Sequence, residues 1–387
     1  MENLSDYFQD ILLENLKDFD LAKLNSESEF YSDIISFDDT YFKDLNNYKN
    51  DKELTNRSYE KYIKYIDVFI NLKIINFTSS NITSFGIFPE DAFPKVVKLI
   101  LTNNQISSFI GISDNAFPKL EELKLFNNQI SSFIGIPDNI FPNLEDLNLW
   151  NNNIKSFEGI TRNTFPNLKY LNLRYNKITS FKGIYDNIFP KLEVLNLEDN
   201  KISSFERNLA GNIFHKLEVL NLDNNIITSF EGLSGKTFPN LNRVFLRKNK
   251  ITSFKGIPDN AFPKLKKLYL NNNKISSFIG IPDNIFPKLE YLNLEDNNIS
   301  SFKGIPDNVF PKLEYLNLED NKISSFKGLS RETFPELGYI DLVDNKIESY
   351  QELNKELTED IFPKLKRLHL TFFRYFNYVS GKFIPDI

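Results

Sequence analysis

Few side chains in this sequence could do covalent chemistry. Cysteine is absent, which removes thiolate nucleophiles, disulfides and every cysteine-based zinc or iron–sulfur site. Histidine occurs only as His215 and His369, and no G-x-x-x-x-G-K-[ST], G-x-G-x-x-G or H-E-x-x-H motif accompanies them. Acidic pairs recur at Glu198-Asp199, Glu295-Asp296 and Glu319-Asp320; carboxylate oxygens are calcium ligands, but such a column also makes a solvated face. The remaining chemistry is non-covalent. Phe126, Trp150, Tyr170, Arg174 and Tyr175, including the only Trp, are the residue types that dominate binding hot spots. Arg243, Arg247, Lys248 and Lys267 form a basic group. It is flanked by Glu198, Asp199 and Asp223 before it and by Glu295, Asp296, Glu319 and Asp320 after it, an alternation that sets partner register more than affinity. Tyr291, Tyr315 and Tyr339 make a third, weaker feature.

The elements that must position these residues repeat. Phe-Pro occurs at 93, 117, 141, 165 and 189 and again at 238, 262, 286, 310, 334 and 362, mostly 24 residues apart. Phe214-His215 marks one more copy between them. Between these marks runs L-x-x-L-x-L-x-x-N-x-I, as in Leu120 to Ile130, and its Asn recurs at 104, 128, 152, 176, 200, 225, 249, 273, 297, 321 and 345. Leu123 and Leu125 alternate inward along a short strand while Lys124 between them points out, as a period of two demands. The Asn is expected to satisfy backbone groups that a tight inward corner would otherwise bury unpaired. Of 37 Phe, one column runs from Phe85 to Phe326 and a second from Phe93 to Phe362, which reads as a stacked aromatic core. Gly135-Ile136-Pro137-Asp138-Asn139 and its equivalents predict short turns or 3₁₀ segments.

These residues resemble the leucine-rich-repeat family, specifically its 24-residue typical class, over residues 72 to 387. The departures are Phe where many members carry Leu, Ser80 at the ladder position of the first unit and Phe373 at that of the last. The resemblance implies an α/β solenoid, a horseshoe with a parallel concave sheet and short 3₁₀ or turn segments on its convex side. About thirteen strands at ~4.7–4.9 Å spacing give a concave face on the order of 60 Å long. In such a solenoid His215 and His369 stand several repeats apart, which rules out a shared triad. Relatives that are ubiquitin ligases need a catalytic Cys, and kinase-linked relatives need a kinase domain; both are missing here.

Residues 1–71 read as an acidic helical N-terminal cap, with 16 Asp and Glu against 8 Lys and Arg. Residues 72–364 read as twelve repeats of about 24 residues, and 365–387 as a last strand and an aromatic C-terminal cap. The net charge of −6 gives no global attraction to nucleic acid or anionic lipid. With neither a cationic leader nor a long apolar run, the expected location is cytoplasmic, export without a cleaved signal being the alternative. The expected function is a monomeric, non-enzymatic module that binds another protein on its concave face, with no cofactor, metal, nucleic acid or membrane. The Asn, Lys, Ile, Phe and Tyr bias suggests an AT-rich genome and a bacterial or viral factor aimed at host proteins. The alternatives are a regulator of a GTPase or phosphatase and a self-assembling structural solenoid.

Overall fold

The computed structural model describes residues 72–88, 93–185, 187–205, 214–233, 236–347, 361–370, 373–379 and 382–385. The helical cap expected over 1–71 lies outside them. The chain forms two compact units: Met1–Ile154 with Glu158–Leu171, and Lys155–Phe157 with Asn172–Ile387.

In the first unit, β1 (Ile74–Asn76), β2 (Lys98–Ile100), β3 (Glu122–Lys124) and β4 (Asp146–Asn148) pair in parallel and in register, Leu99 opposite Leu123 and Leu123 opposite Leu147. The Lys169 and Tyr170 amides leading into β5 (Tyr170–Asn172) donate to the Glu145 carbonyl at 2.9 Å. The second unit continues the pattern with β6 (Val194–Asn196), β7 (Val219–Asn221), β8 (Arg243–Phe245), β9 (Lys267–Tyr269), β10 (Tyr291–Asn293), β11 (Tyr315–Asn317), β12 (Tyr339–Asp341) and β13 (Arg367–Leu370). These too are parallel. β14 (Phe373–Val379) then pairs antiparallel with β13, and β15 (Lys382–Pro385) with β14. The C-terminal segment therefore extends the sheet, occupying the edge that β13 would otherwise leave unpaired.

Each three-residue strand buries its central residue; in β3, β6 and β9 the first and third stay partly exposed, whereas in β10–β12 the third is buried too, so a solenoid core lies on one side and an open face on the other. The core is aromatic. Phe254, Phe278, Phe302 and Phe326 stack at 5.6–6.1 Å, and Phe262, Phe286, Phe310 and Phe334 at 5.6–6.1 Å. Edge-to-face contacts such as Phe302–Phe334, 6.3 Å and 80°, join the two stacks.

The turns after the strands are closed by the ladder asparagines, and each closes two repeats at once. Asn128 accepts from the Ile106 amide at 3.0 Å and donates to the carbonyls of Leu101 at 2.8 Å and Leu125 at 3.1 Å. On the far side a 3₁₀ turn occurs at Phe85–Ile87, and later repeats use turns entered through a glycine. At Gly159, φ is +98° and a Cβ would lie 2.5 Å from the Ile134 nitrogen, so only glycine lets the neighbouring repeat come this close.

Candidate functional site

The open face is mostly scaffold. At the third strand position Asn148, Asn172, Asn196, Asn221, Asn293 and Asn317 each accept, through Oδ1, the amide two residues on at 2.9–3.0 Å. They turn the chain off the strand, the local side-chain-to-backbone bond that Asn forms readily. β12 keeps the bond with Asp341, whose Oδ1 accepts the Val343 amide at 3.1 Å, whereas β8 and β9 put an aromatic there. Phe245 and Tyr269 stand where Asn is expected, and the Arg247 amide donates instead to Asp223 Oδ1 at 2.6 Å.

The break creates a ladder. Phe245 stacks on Tyr269 at 4.7 Å and 9°, Tyr269 meets Tyr291 at 5.1 Å and 40°, and Tyr291, Tyr315 and Tyr339 stack at 4.7 and 4.6 Å. These separations match the spacing of neighbouring strands, because in-register parallel strands bring the same column together at that interval. The tilted step is where the row crosses from the third position of β9 to the first of β10. All five rings are half-buried. Burial, then the neighbouring Tyr291 and Asp341, pushes the Tyr315 hydroxyl up to about 12, so it stays protonated at neutral pH.

Both ends of the ladder are held by charge. Arg247 lies over Phe245 at 5.4 Å and Tyr269 at 5.9 Å and pairs with Asp223 at 2.5 Å. Burial pushes the Asp223 carboxyl up against the pull of Arg247, whose own charge Asp223 stabilises. At the other end Tyr339 donates its hydroxyl to Asp341 Oδ2 at 2.9 Å, and His369 Nδ1 lies 3.0 Å from the same oxygen.

The expected aromatic group divides between the units. In the first, Phe126 and Trp150 pack at 5.7 Å, and the Tyr170 hydroxyl is raised by burial and by Asp146. In the second, Arg174 lies 4.9 Å over Tyr175 and pairs with Glu198 at 3.2 Å and Asp199 at 3.0 Å. Of the expected basic group, Arg243 and Lys248 are exposed and Lys267 is half-buried; Arg247 is tied down as above.

Tyr175 and Lys248 share a further property. They sit at the corner before the ladder Asn with φ of 53°, a left-handed position that Asn and Asp occupy in most other repeats, including Asn127, Asp199, Asn272 and Asp320. Residues without a short polar side chain are disfavoured there. Lys248→Asn is expected to raise stability by about 1 kcal/mol, measurable as a higher urea midpoint.

Sequence comparison agrees with this geometry. The family model described as "Leucine rich repeat" matches residues 142–202, and that described as "Leucine Rich repeats (2 copies)" matches 190–235, 239–284 and 287–331. The strands they cover recur about every 24 residues. The chain is a leucine-rich-repeat protein. No curated protein matches it in sequence. Among solved structures it is similar to the leucine-rich repeat domain of APL1B, at a TM-score of 0.59 and 21% identity over 95% of this chain and 93% of that one. An internalin (inlF) from Listeria monocytogenes gives 0.53 and 19% over 84% and 86%. A chain of the octameric complex of Latrophilin 3, Unc5D and FLRT2 gives 0.55 and 26% over 70% and 82%.

The rest of this leucine-rich-repeat protein offers little else that converges. Among the described residues no three His, Asp or Glu side chains are grouped to hold a metal, and no helix is long and apolar enough to cross a membrane. His215 precedes β7 and His369 lies on β13, so the structure does not bring the two together. Sequence reasoning found Tyr291, Tyr315 and Tyr339 but missed Phe245 and Tyr269. The available signal was the replacement of Asn by an aromatic at the same strand position in two consecutive repeats.

Proposed function

We propose that this leucine-rich-repeat protein is a non-enzymatic module that binds another protein along the concave face formed by β8–β12. The observation that carries this reading is the continuous row of five packed rings, Phe245 to Tyr339, stacked except at the tilted Tyr269–Tyr291 step, on five consecutive strands. A row already fixed by its neighbours loses little freedom when a partner docks, and Tyr with Arg supplies hot-spot chemistry. The Phe126–Trp150 pair is a second contact surface of the same kind. The composition, rich in Asn, Lys, Ile, Phe and Tyr, supports placing it as a bacterial or viral factor acting on host proteins.

The test is affinity capture from lysate with wild type, a Tyr291→Ala, Tyr315→Ala variant and a Trp150→Ala, Tyr175→Ala variant, each checked for folding by circular dichroism. A partner held by wild type is expected to be weakened by about 2 kcal/mol or more, ~30-fold, in the ladder variant. Loss only in the Trp150 variant moves the site to the first group. Equal capture by all three refutes both placements.

A further inference from the structure

The ladder runs between two charge regimes. Towards its Arg247 end, carboxylates facing the sheet are answered within the chain: Asp223 by Arg247, and Glu198 and Asp199 by Arg174. Along β10–β12, Glu295, Asp296, Glu319 and Asp320 form no ion pair among the described residues. The register places Asn293 opposite Asn317, so Glu295 and Glu319, two residues on, stand one strand apart. Like charges on neighbouring strands repel. Burial raises the Glu319 carboxyl, and Asp341, Glu295 and Asp344 raise it further against a smaller opposing pull from His369, so negative charge outweighs positive around it.

The first and third strand positions beside them hold Tyr291, Asn293, Tyr315, Asn317, Tyr339 and Asp341, of which the third-position Asn293, Asn317 and Asp341 are buried. None is cationic. Since no three carboxylates converge as a metal site among the described residues, the charge is spread along the row rather than focused on a point. A spread of carboxylates beside phenol rings suits side chains with an apolar stem and a cationic head, whose stems lie along the rings while their heads reach the acids.

We propose that the β10–β12 end of the ladder receives an extended, Lys- or Arg-bearing segment of a partner protein. This rests on the reading of the ladder as a protein-binding face and adds the chemistry of its partner. Glu295 and Glu319 choose the cations, the rings of Tyr291 and Tyr315 pack their stems, and Arg243 and Lys248 repel a cation placed at the other end.

Fluorescence anisotropy with the full chain tests it, using a short peptide alternating lysine and valine and a matched glutamate–valine peptide. The basic peptide is expected to bind and to weaken as salt rises, and the acidic one not to bind at this end. Glu295→Gln with Glu319→Gln is expected to weaken the basic peptide about tenfold or more, while Arg243→Gln with Lys248→Gln leaves it no weaker. Sedimentation of the Gln variant alone checks that its fold and size are unchanged. Three outcomes each overturn the proposal: no binding of the basic peptide, equal binding to the Glu295→Gln, Glu319→Gln variant, or wild-type self-association that the same variant abolishes, which makes a second copy the occupant. If the peptide arm fails while the tyrosine variant still loses its captured protein, the binding-module reading stands without a basic partner; if both fail, both fall.

Discussion

Phe302→Ala is expected to cost the second unit about 3–5 kcal/mol, the range for emptying a buried aromatic site. Phe302 is fully buried and touches three rings: Phe278 at 6.1 Å, Phe326 at 5.6 Å and Phe334 at 6.3 Å. Two of these lie in its own stack and the third in the other, so the substitution opens a cavity where both columns interlock. Each lost ring pair adds about 0.5–1.5 kcal/mol beyond area burial. Neighbouring repeats can close the gap only by shifting strands already fixed by hydrogen bonds, which limits relaxation. Because a solenoid is held by nearest-neighbour interfaces, the loss should also split the urea transition into two steps at this repeat. Lys303→Ala next in the chain, exposed on the surface, should stay within about 0.5 kcal/mol. A single unshifted transition for Phe302→Ala would show that the aromatic columns do not carry the stability.

The scaffold was legible because a repeat writes each structural requirement many times. Leu123, Leu147 and Leu195 fall at strand centres, and one register aligns the phenylalanine columns as expected. The departure at Ser80 is also explained. Asn104 reaches back to the Ser80 and Ile82 amides and the Phe77 carbonyl at 2.7–3.0 Å, so a ladder Asn serves the repeat before its own, and among the described residues no strand precedes β1 for Ser80 to serve.

The site was less legible because its parts belong to different columns. Phe245 and Tyr269 occupy the third strand position and Tyr291, Tyr315 and Tyr339 the first. Only the spatial diagonal between β9 and β10 makes them one row. Charge was harder still. Arg247 reads in sequence as one of four cations offered to a partner, whereas in the fold its guanidinium is engaged by Asp223 from the preceding repeat and laid over two rings. A list of types and spacings counts both sets of acids alike, but Arg174 and Arg247 answer only those before the ladder. That difference is geometric: it separates acids paired within the chain from acids that form no ion pair among the described residues.

Asn297→Ala is expected to cost about 1–3 kcal/mol, although it removes only a small polar side chain. Asn297 is buried. Its Oδ1 accepts the Ile275 amide at 2.9 Å, and its Nδ2 donates to the carbonyls of Leu270 at 3.0 Å, Leu294 at 3.0 Å and Glu295 at 3.1 Å. Alanine leaves the Ile275 N–H shielded from water, and an orphaned buried group costs about 1–3 kcal/mol; the three carbonyls each lose one donor but keep another, Leu270 from Asn273 Nδ2 at 2.9 Å, Leu294 from Asn321 Nδ2 at 2.8 Å and Glu295 from the Asn272 amide at 2.9 Å. Two of these groups, Ile275 N–H and Leu270 C=O, belong to the preceding repeat, so the damage spreads across an interface. Asn297→Asp keeps the acceptor and loses the donors while burying a charge, and is expected to be no better than alanine at neutral pH. Hydrogen exchange supplies the decisive readout: the Ile275 amide should exchange much faster in Asn297→Ala, whereas the Ile227 amide, held by Asn249 at 3.0 Å two repeats away, should keep its protection. Uniform acceleration at both would mean that the ladder sets global stability rather than joining one repeat to the next.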